Sequence, residues 1–237
     1  MNKDKKILVF TATYNEKENI QNLIYEIKAS VPSSSILIID DNSPDGTGKI
    51  ISEIQKKIKQ VYLLSRNTKS GLDSAHKLAY DFALKNKFDY LITMDADFSH
   101  DPIILPVIVE NLNYHPFVLG SRYIFGGKCL MKGSRLLMSS FGNKLIKLVS
   151  GVRCNEFTTS YRGFNLNHLN NFHLNNVKLK GYSFFMGTIF ELYNNNISIK
   201  EIPIIFQDRS KGISKIPKFE IFRTLKNLGI FFLKKFL

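Results

Sequence analysis

Tyr90-Leu91-Ile92-Thr93-Met94-Asp95-Ala96-Asp97-Phe98-Ser99-His100-Asp101-Pro102 decides how this chain is read. The run Tyr90–Met94 has the length and apolar content of a buried strand, and it ends in a polar turn. Asp95 and Asp97, one residue apart at the strand's C-terminal edge, present two hard carboxylate donors. Such a pair can hold a divalent cation against a diphosphate. A bare Asp-X-Asp is weak, because turns and helix caps use aspartate freely. The flanking Phe98-Ser99-His100-Asp101-Pro102 makes this one much more specific.

Outward from that strand, apolar runs bounded by turn residues alternate with helix-period segments. Strands are expected at Ile7–Thr13, Ile36–Asp40, Val61–Ser65, Tyr90–Met94 and Phe117–Gly120. Helices are expected near Lys17–Ser30, Gly48–Lys59, Leu72–Lys87 and Pro102–Asn113. This order predicts an α/β fold, a Rossmann-like and mostly parallel central sheet flanked by helices. Tyr14-Asn15-Glu16, Asp40-Asp41-Asn42, Arg66-Asn67-Thr68-Lys69 and Asp95-Ala96-Asp97 all follow strands, where open α/β sheets bind ligands. A carboxylate at the second of these can accept from a nucleobase, and Tyr14 can offer a ring face. Asp45-Gly46-Thr47 reads as a turn feeding a helix cap.

The second half is less regular. Ser134–Ser150 and Leu179–Asn194 read as helices and Ile199–Phe206 as a strand, completing one domain over residues 1–216. Residues 217–237 interleave Phe, Ile and Leu with Lys and Arg, the composition of a C-terminal basic amphipathic helix. Such a helix suits a membrane interface, or packs on the domain with its lysines in water.

The 237 residues contain no glycine- or proline-rich linker, and the formal net charge of +13 calls for an anionic partner. Nucleic acid is disfavoured, since there is neither a basic helix with recognition spacing nor an aromatic strand platform. Cys129 and Cys154 lack the spacing of a disulfide framework or a zinc site, which fits a reducing, cytoplasmic setting. The apolar run Ile7–Phe10 is ended by polar residues from Thr11, so it reads as a strand and not a signal peptide. No stretch reaches the roughly 20 apolar residues that span a bilayer.

Taken together, seven stretches resemble family 2 glycosyltransferases of the nucleotide-sugar-binding A-type fold, nearest to dolichyl-phosphate mannose synthases and bacterial polyprenyl-phosphate relatives. They are Thr13-Tyr14-Asn15-Glu16, Asp40–Thr47, Lys69-Ser70-Gly71-Leu72, Met94–His100, Gly120-Ser121-Arg122-Tyr123 with Gly126-Gly127, Arg135 with Ser139, and Arg209–Lys215. The resemblance implies that Thr13, Tyr14, Glu16, Asp41, Lys69 and Asp95 bind the nucleotide sugar. It gives Asp95, Asp97 and Ser99 to Mg²⁺ or Mn²⁺, and it gives His100 a part in shaping the loop. Arg122, Arg135, Ser139, Arg209 and Lys215 fall to the acceptor phosphate, with Asp95, Asp97, Arg122 and Arg209 as the catalytic set. Arginine's fixed charge and planar fork of donors suit phosphate oxygens.

The reaction so implied is an inverting displacement, in which a polyprenyl-phosphate oxygen attacks the anomeric carbon and a nucleoside diphosphate leaves. A phosphate is already ionised near neutral pH and needs no strong base. The resemblance also implies a peripheral enzyme at the cytoplasmic face of a membrane, held by its tail or by a separate membrane subunit. Mannose from GDP-mannose is the leading donor, and UDP-glucose or an amino sugar the alternatives. The match departs at Ala12, at Asp73, in Glu156–Arg162, and at Phe185 and Gly187, where mannose synthases commonly carry Gln and Glu near the acceptor and sugar side. A transferase acting on a soluble glycan would instead need a carboxylate base, for which Glu156 is the candidate. A silent scaffold is disfavoured by the joint presence of Asp95, Asp97, Arg122 and Arg209.

Overall fold

The computed structural model describes residues 5–208 apart from Asn170, together with residues 226, 227 and 229. The tail expected as an amphipathic helix therefore lies almost wholly outside the described residues. The chain begins β1 (Ile7–Thr13), α1 (Ile20–Ser30), β2 (Ser35–Asp40), α2 (Thr47–Lys57), β3 (Val61–Ser65), α3 (Leu72–Lys85) and β4 (Tyr90–Thr93). It continues α4 (Leu105–Leu112), β5 (Phe117–Ser121), β6 (Lys128–Cys129), α5 (Ser134–Ser150), β7 (Arg162–Asn165), α6 (Ser183–Asn194), β8 (Ile199–Pro203) and β9 (Ile205–Phe206).

Seven strands form one sheet in the order β3-β2-β1-β4-β7-β5-β8, and β6 pairs with β9 in a second, two-stranded sheet. Among the described residues, β7 is the strand of the large sheet that runs antiparallel, against both β4 and β5. β1, β2 and β4 are rich in consecutive apolar residues because both faces of the sheet are covered there. Alternation along each strand divides the core. Leu8, Phe10, Leu37 and Ile39 pack with α3 and α6, while Val9, Ile36 and Ile38 pack with α1, α2 and α4.

Strand order places the site. The chain walks outward from β1 through β2 to β3, and α3 then carries it back to β4 on the other side of β1. Open α/β sheets form their ligand crevice at such a reversal. The register aligns Thr13 with Asp40 and Phe10 with Thr93, so the loops after β1, β2 and β4 emerge along one edge.

Several boundaries differ from those expected. Residues 17–19 form a turn closed by Asn19 and Ile20 N–H groups on the Glu16 carbonyl, which delays α1 to Ile20. Residues 102–113 divide into a short 3-10 turn, Pro102–Ile104, and α4. Residues 179–182 precede α6, with Gly181 at φ +60°. The single strand expected at 199–206 is two, β8 beside β5 and β9 beside β6. β7 was not expected, because Arg-Gly-Phe-Asn has no apolar run and a charge at its first position. That glycine lets α4 lie close: a Cβ on Gly163 would stand 2.6 Å from Ile108 and 3.0 Å from Leu112.

Candidate active site

The first wall comes from the loops after β1, β2 and β3. Asp40 is turned inward, accepting from the Thr13 hydroxyl at 2.8 Å and from the Ser43 backbone N–H at 2.9 Å. Glu16 is buried and accepts from Asn19 Nδ2 at 2.8 Å. Asp45 caps the start of α2 through the Thr47 N–H and hydroxyl, as the turn reading anticipates. Asp41 accepts from Arg66 Nε at 2.5 Å, and the same guanidinium reaches Ser74 Oγ at 2.6 Å and the Gly71 carbonyl at 3.1 Å. Arg66 thereby joins the β2, β3 and α3 loops. Residues 66–69 follow β3 as expected, but of these only Lys69 is assigned to the site by the resemblance; the signal for Arg66 is its place directly after the strand. Lys69 Nζ stands 4.4 Å from the centre of the Tyr14 ring.

The acidic loop forms the floor. Asp97 is nearly buried and accepts from both the N–H and the hydroxyl of Ser99. Phe98 between them sits at φ +63°, a left-handed conformation costly for a bulky side chain. Asp95, whose side chain is 38% exposed, accepts from Ser160 Oγ at 2.5 Å. Its backbone N–H donates to His100 Nδ1 at 3.1 Å. Burial, against the pull of Asp95 and Asp97, holds the His100 pKa below the ordinary histidine value, so the ring is a neutral acceptor. His100 stacks on Tyr161 at 4.8 Å and Thr159 Oγ1 meets its Nε2 at 3.1 Å. It therefore shapes the loop.

The basic residues are placed differently from one another. Arg122 is almost buried and grips Glu156 through Nε at 2.7 Å and Nη2 at 2.8 Å, with Nη2 also on Thr158 Oγ1 at 2.7 Å. Burial alone would raise the pKa of fully buried Glu156, but Arg122 and the Thr158 hydrogen bonds outweigh it and hold the carboxyl below its ordinary range. Ser139 accepts from Tyr123 at 2.7 Å, and Arg135 lies open to solvent with Asp208 at 3.0 Å. Close approach at Gly127 keeps the Arg122 turn compact, since a Cβ there would stand 2.6 Å from the Ser121 carbonyl. Arg209, Lys211 and Lys215 lie outside the described residues.

The residues that depart from the resemblance have structural uses. Asp73 accepts from the Gly181 N–H at 2.9 Å, tying the start of α3 to the approach of α6. Phe185 and Gly187 were expected near the acceptor and sugar side, but both are buried in the core. The Phe185 ring meets His76 at 5.1 Å and the Arg162 guanidinium at 4.9 Å. A Cβ on Gly187 would stand 2.9 Å from Val177.

Residues 8–189, which hold both the β1–β4 crevice and the Arg122–Glu156 pair, match the glycosyl transferase family 2 pattern. The chain belongs to glycosyl transferase family 2. Among relatives of this glycosyltransferase is a polyprenol monophosphomannose synthase of Mycolicibacterium smegmatis, 33% identical over 215 residues, covering 90% of this chain and 81% of the relative. An undecaprenyl-phosphate mannosyltransferase of Micrococcus luteus is 33% identical over 212 residues, covering 89% and 87%. The fold is shared with glucosyl-3-phosphoglycerate synthase of Mycobacterium tuberculosis, solved with Mn²⁺, UDP and phosphoglyceric acid. That match has a TM-score of 0.65 at 15% identity over 98% of this chain and 78% of the other. The A-type architecture expected from the sequence is thus the observed one.

Proposed function

We propose that this family 2 glycosyltransferase moves a sugar from a nucleoside diphosphate to the phosphate of a polyprenyl lipid, with mannose from GDP-mannose as the first donor to test. The observation that carries the choice of acceptor is the sealing of Glu156. A hydroxyl acceptor needs a base, and the carboxylate that the sequence offers for it is fully buried, held by Arg122 and kept weakly basic. A phosphate acceptor needs none. Both curated relatives are named for mannosyl transfer to a polyprenyl carrier, which supports the same acceptor and mannose.

In this reading Tyr14, Asp41 and Lys69 take the nucleotide, with Thr13 and Glu16 building the loops beneath. Asp95 and Asp97 suit Mg²⁺ or Mn²⁺, since both are hard oxygen donors, and the M. tuberculosis synthase was solved with Mn²⁺. Asp95 and Asp97 would hold the cation from the protein side, and diphosphate oxygens and water would be its further oxygen donors. Ser99 spends its hydroxyl hydrogen on Asp97, which fits a role of steadying that carboxylate beside its own oxygen's reach. When bound, the cation offsets charge developing on the leaving diphosphate. Arg122, Arg135, Ser139, Arg209 and Lys215 hold the acceptor phosphate in line.

Contact with a membrane surface is supported by α5. Leu137, Phe141 and Leu148 are 72%, 68% and 81% exposed at i, i+4 and i+11, one helical stripe, with exposed Lys144 among them. No helix of the described residues is long and apolar enough to cross a membrane. Peripheral attachment at the cytoplasmic face, through this stripe and the tail or through a membrane subunit, fits both facts.

The test supplies labelled GDP- and UDP-sugars, Mg²⁺ or Mn²⁺, and either a short polyprenyl phosphate or a soluble glycan. Label is expected in the organic phase, most of it from GDP-mannose. Transfer to the glycan alone, or none with any donor by folded protein, contradicts the reading.

A further inference from the structure

Thr159-Ser160-Tyr161, just before β7, makes three hydrogen bonds to the acidic loop. Thr159 Oγ1 meets His100 Nε2 at 3.1 Å, Tyr161 donates to the Asp101 carbonyl at 2.9 Å, and Ser160 Oγ donates to Asp95 Oδ1 at 2.5 Å. Only the serine touches an acidic side chain of the candidate metal pair. Ser160 is 3% exposed, and its own carbonyl is anchored by the Thr93 hydroxyl, so its Oγ is presented from a fixed backbone. Arg162 Nε and Nη2 bind the Thr159 and Phe157 carbonyls, closing the segment from behind.

We infer that Ser160 is a positioning residue for divalent-cation binding, acting through Asp95. A hydrogen bond to one oxygen of a metal-binding carboxylate fixes its rotamer and leaves the other oxygen as the stronger donor. Asp95 is the more exposed side chain of the pair, and this hydroxyl links it to the segment that leads into the antiparallel strand β7. The inference rests on the proposed metal role of Asp95 and Asp97, and it adds a residue from a distant part of the chain to that role.

The test is Mn²⁺ binding in the presence of GDP or UDP, followed by calorimetry on the full chain without lipid acceptor, so that turnover is not the readout. Ser160→Ala should weaken Mn²⁺ binding roughly 10- to 100-fold, the usual effect of losing a partner of a metal ligand. Ser160→Thr, which keeps the hydroxyl, should recover most of it. Melting temperature is measured on each variant. An alanine variant that melts lower but binds Mn²⁺ like the parent shows a merely structural serine and overturns the inference. If the parent itself binds no Mn²⁺ with either nucleotide, the metal reading of the acidic pair fails instead. Parent binding that survives Asp97→Asn would also count against that reading.

Discussion

Asp97 is held by Ser99 through two donors, so its geometry is fixed before any ligand arrives. Asparagine has nearly the same shape but no charge to offer a cation. Asp97→Asn is therefore expected to leave circular dichroism and melting close to the parent while transfer falls by roughly 100-fold or more; a loss of a few-fold only would remove Asp97 from the metal pair. This residue was legible in the sequence because the signal is local: two aspartates, one residue apart, at the end of an apolar run. The contacts of Arg66 and Ser160 with the candidate site were not legible. Their partners, Asp41 and Asp95, lie 25 and 65 positions away, and no local pattern announces a pairing that only strand order creates.

Among the elements, the segment from Glu156 into β7 departs most from expectation. No strand was expected there, yet it supplies a central antiparallel strand and buries a glutamate and an arginine. The strand is set by what surrounds it: β4 and β5 leave a slot, Gly163 admits α4, and Arg162 satisfies its own loop's carbonyls. By contrast, β1 to β4 were legible almost to the residue, because β1, β2 and β4 are buried on both faces and all four are short apolar runs bounded by polar turns. Arg122 and Glu156 belong to this element's stability as well as to the site. Glu156→Ala leaves a buried guanidinium unpaired, which costs about 3–5 kcal/mol. Thermal melting should drop by roughly 6–20 °C for a domain of this size. An unchanged melting temperature would show that Arg122 finds water or another partner once Glu156 is gone.

At the scale of the whole molecule, the buried His76 sets an acid limit. Burial first, and then the Arg162 charge, lower its pKa to about 3, so the ring is neutral in the folded chain at any ordinary pH. In the unfolded chain it takes a proton near its ordinary value, about 6.5. The folded state thus has its full share of stability from this group above that value, and loses about 1.4 kcal/mol per pH unit as pH falls from there toward 3. His76→Phe should flatten the fall in melting temperature between pH 6.5 and 4.5. An identical slope in parent and variant would mean that His76 is hydrated or paired when folded. The wider architecture follows from strand order: the reversal between β2 and β4 around β1 brings the loops after β1, β2 and β4 together along one edge of the sheet. The buried, Arg122-held Glu156 remains the basis for assigning a lipid phosphate as acceptor. The most direct test compares one short polyprenyl chain as its phosphate and as its free alcohol, with labelled GDP-mannose and Mg²⁺ or Mn²⁺. Label should enter the organic phase with the phosphate and not with the alcohol; equal labelling of both, or none with the phosphate by folded protein across GDP- and UDP-sugars, would contradict the account.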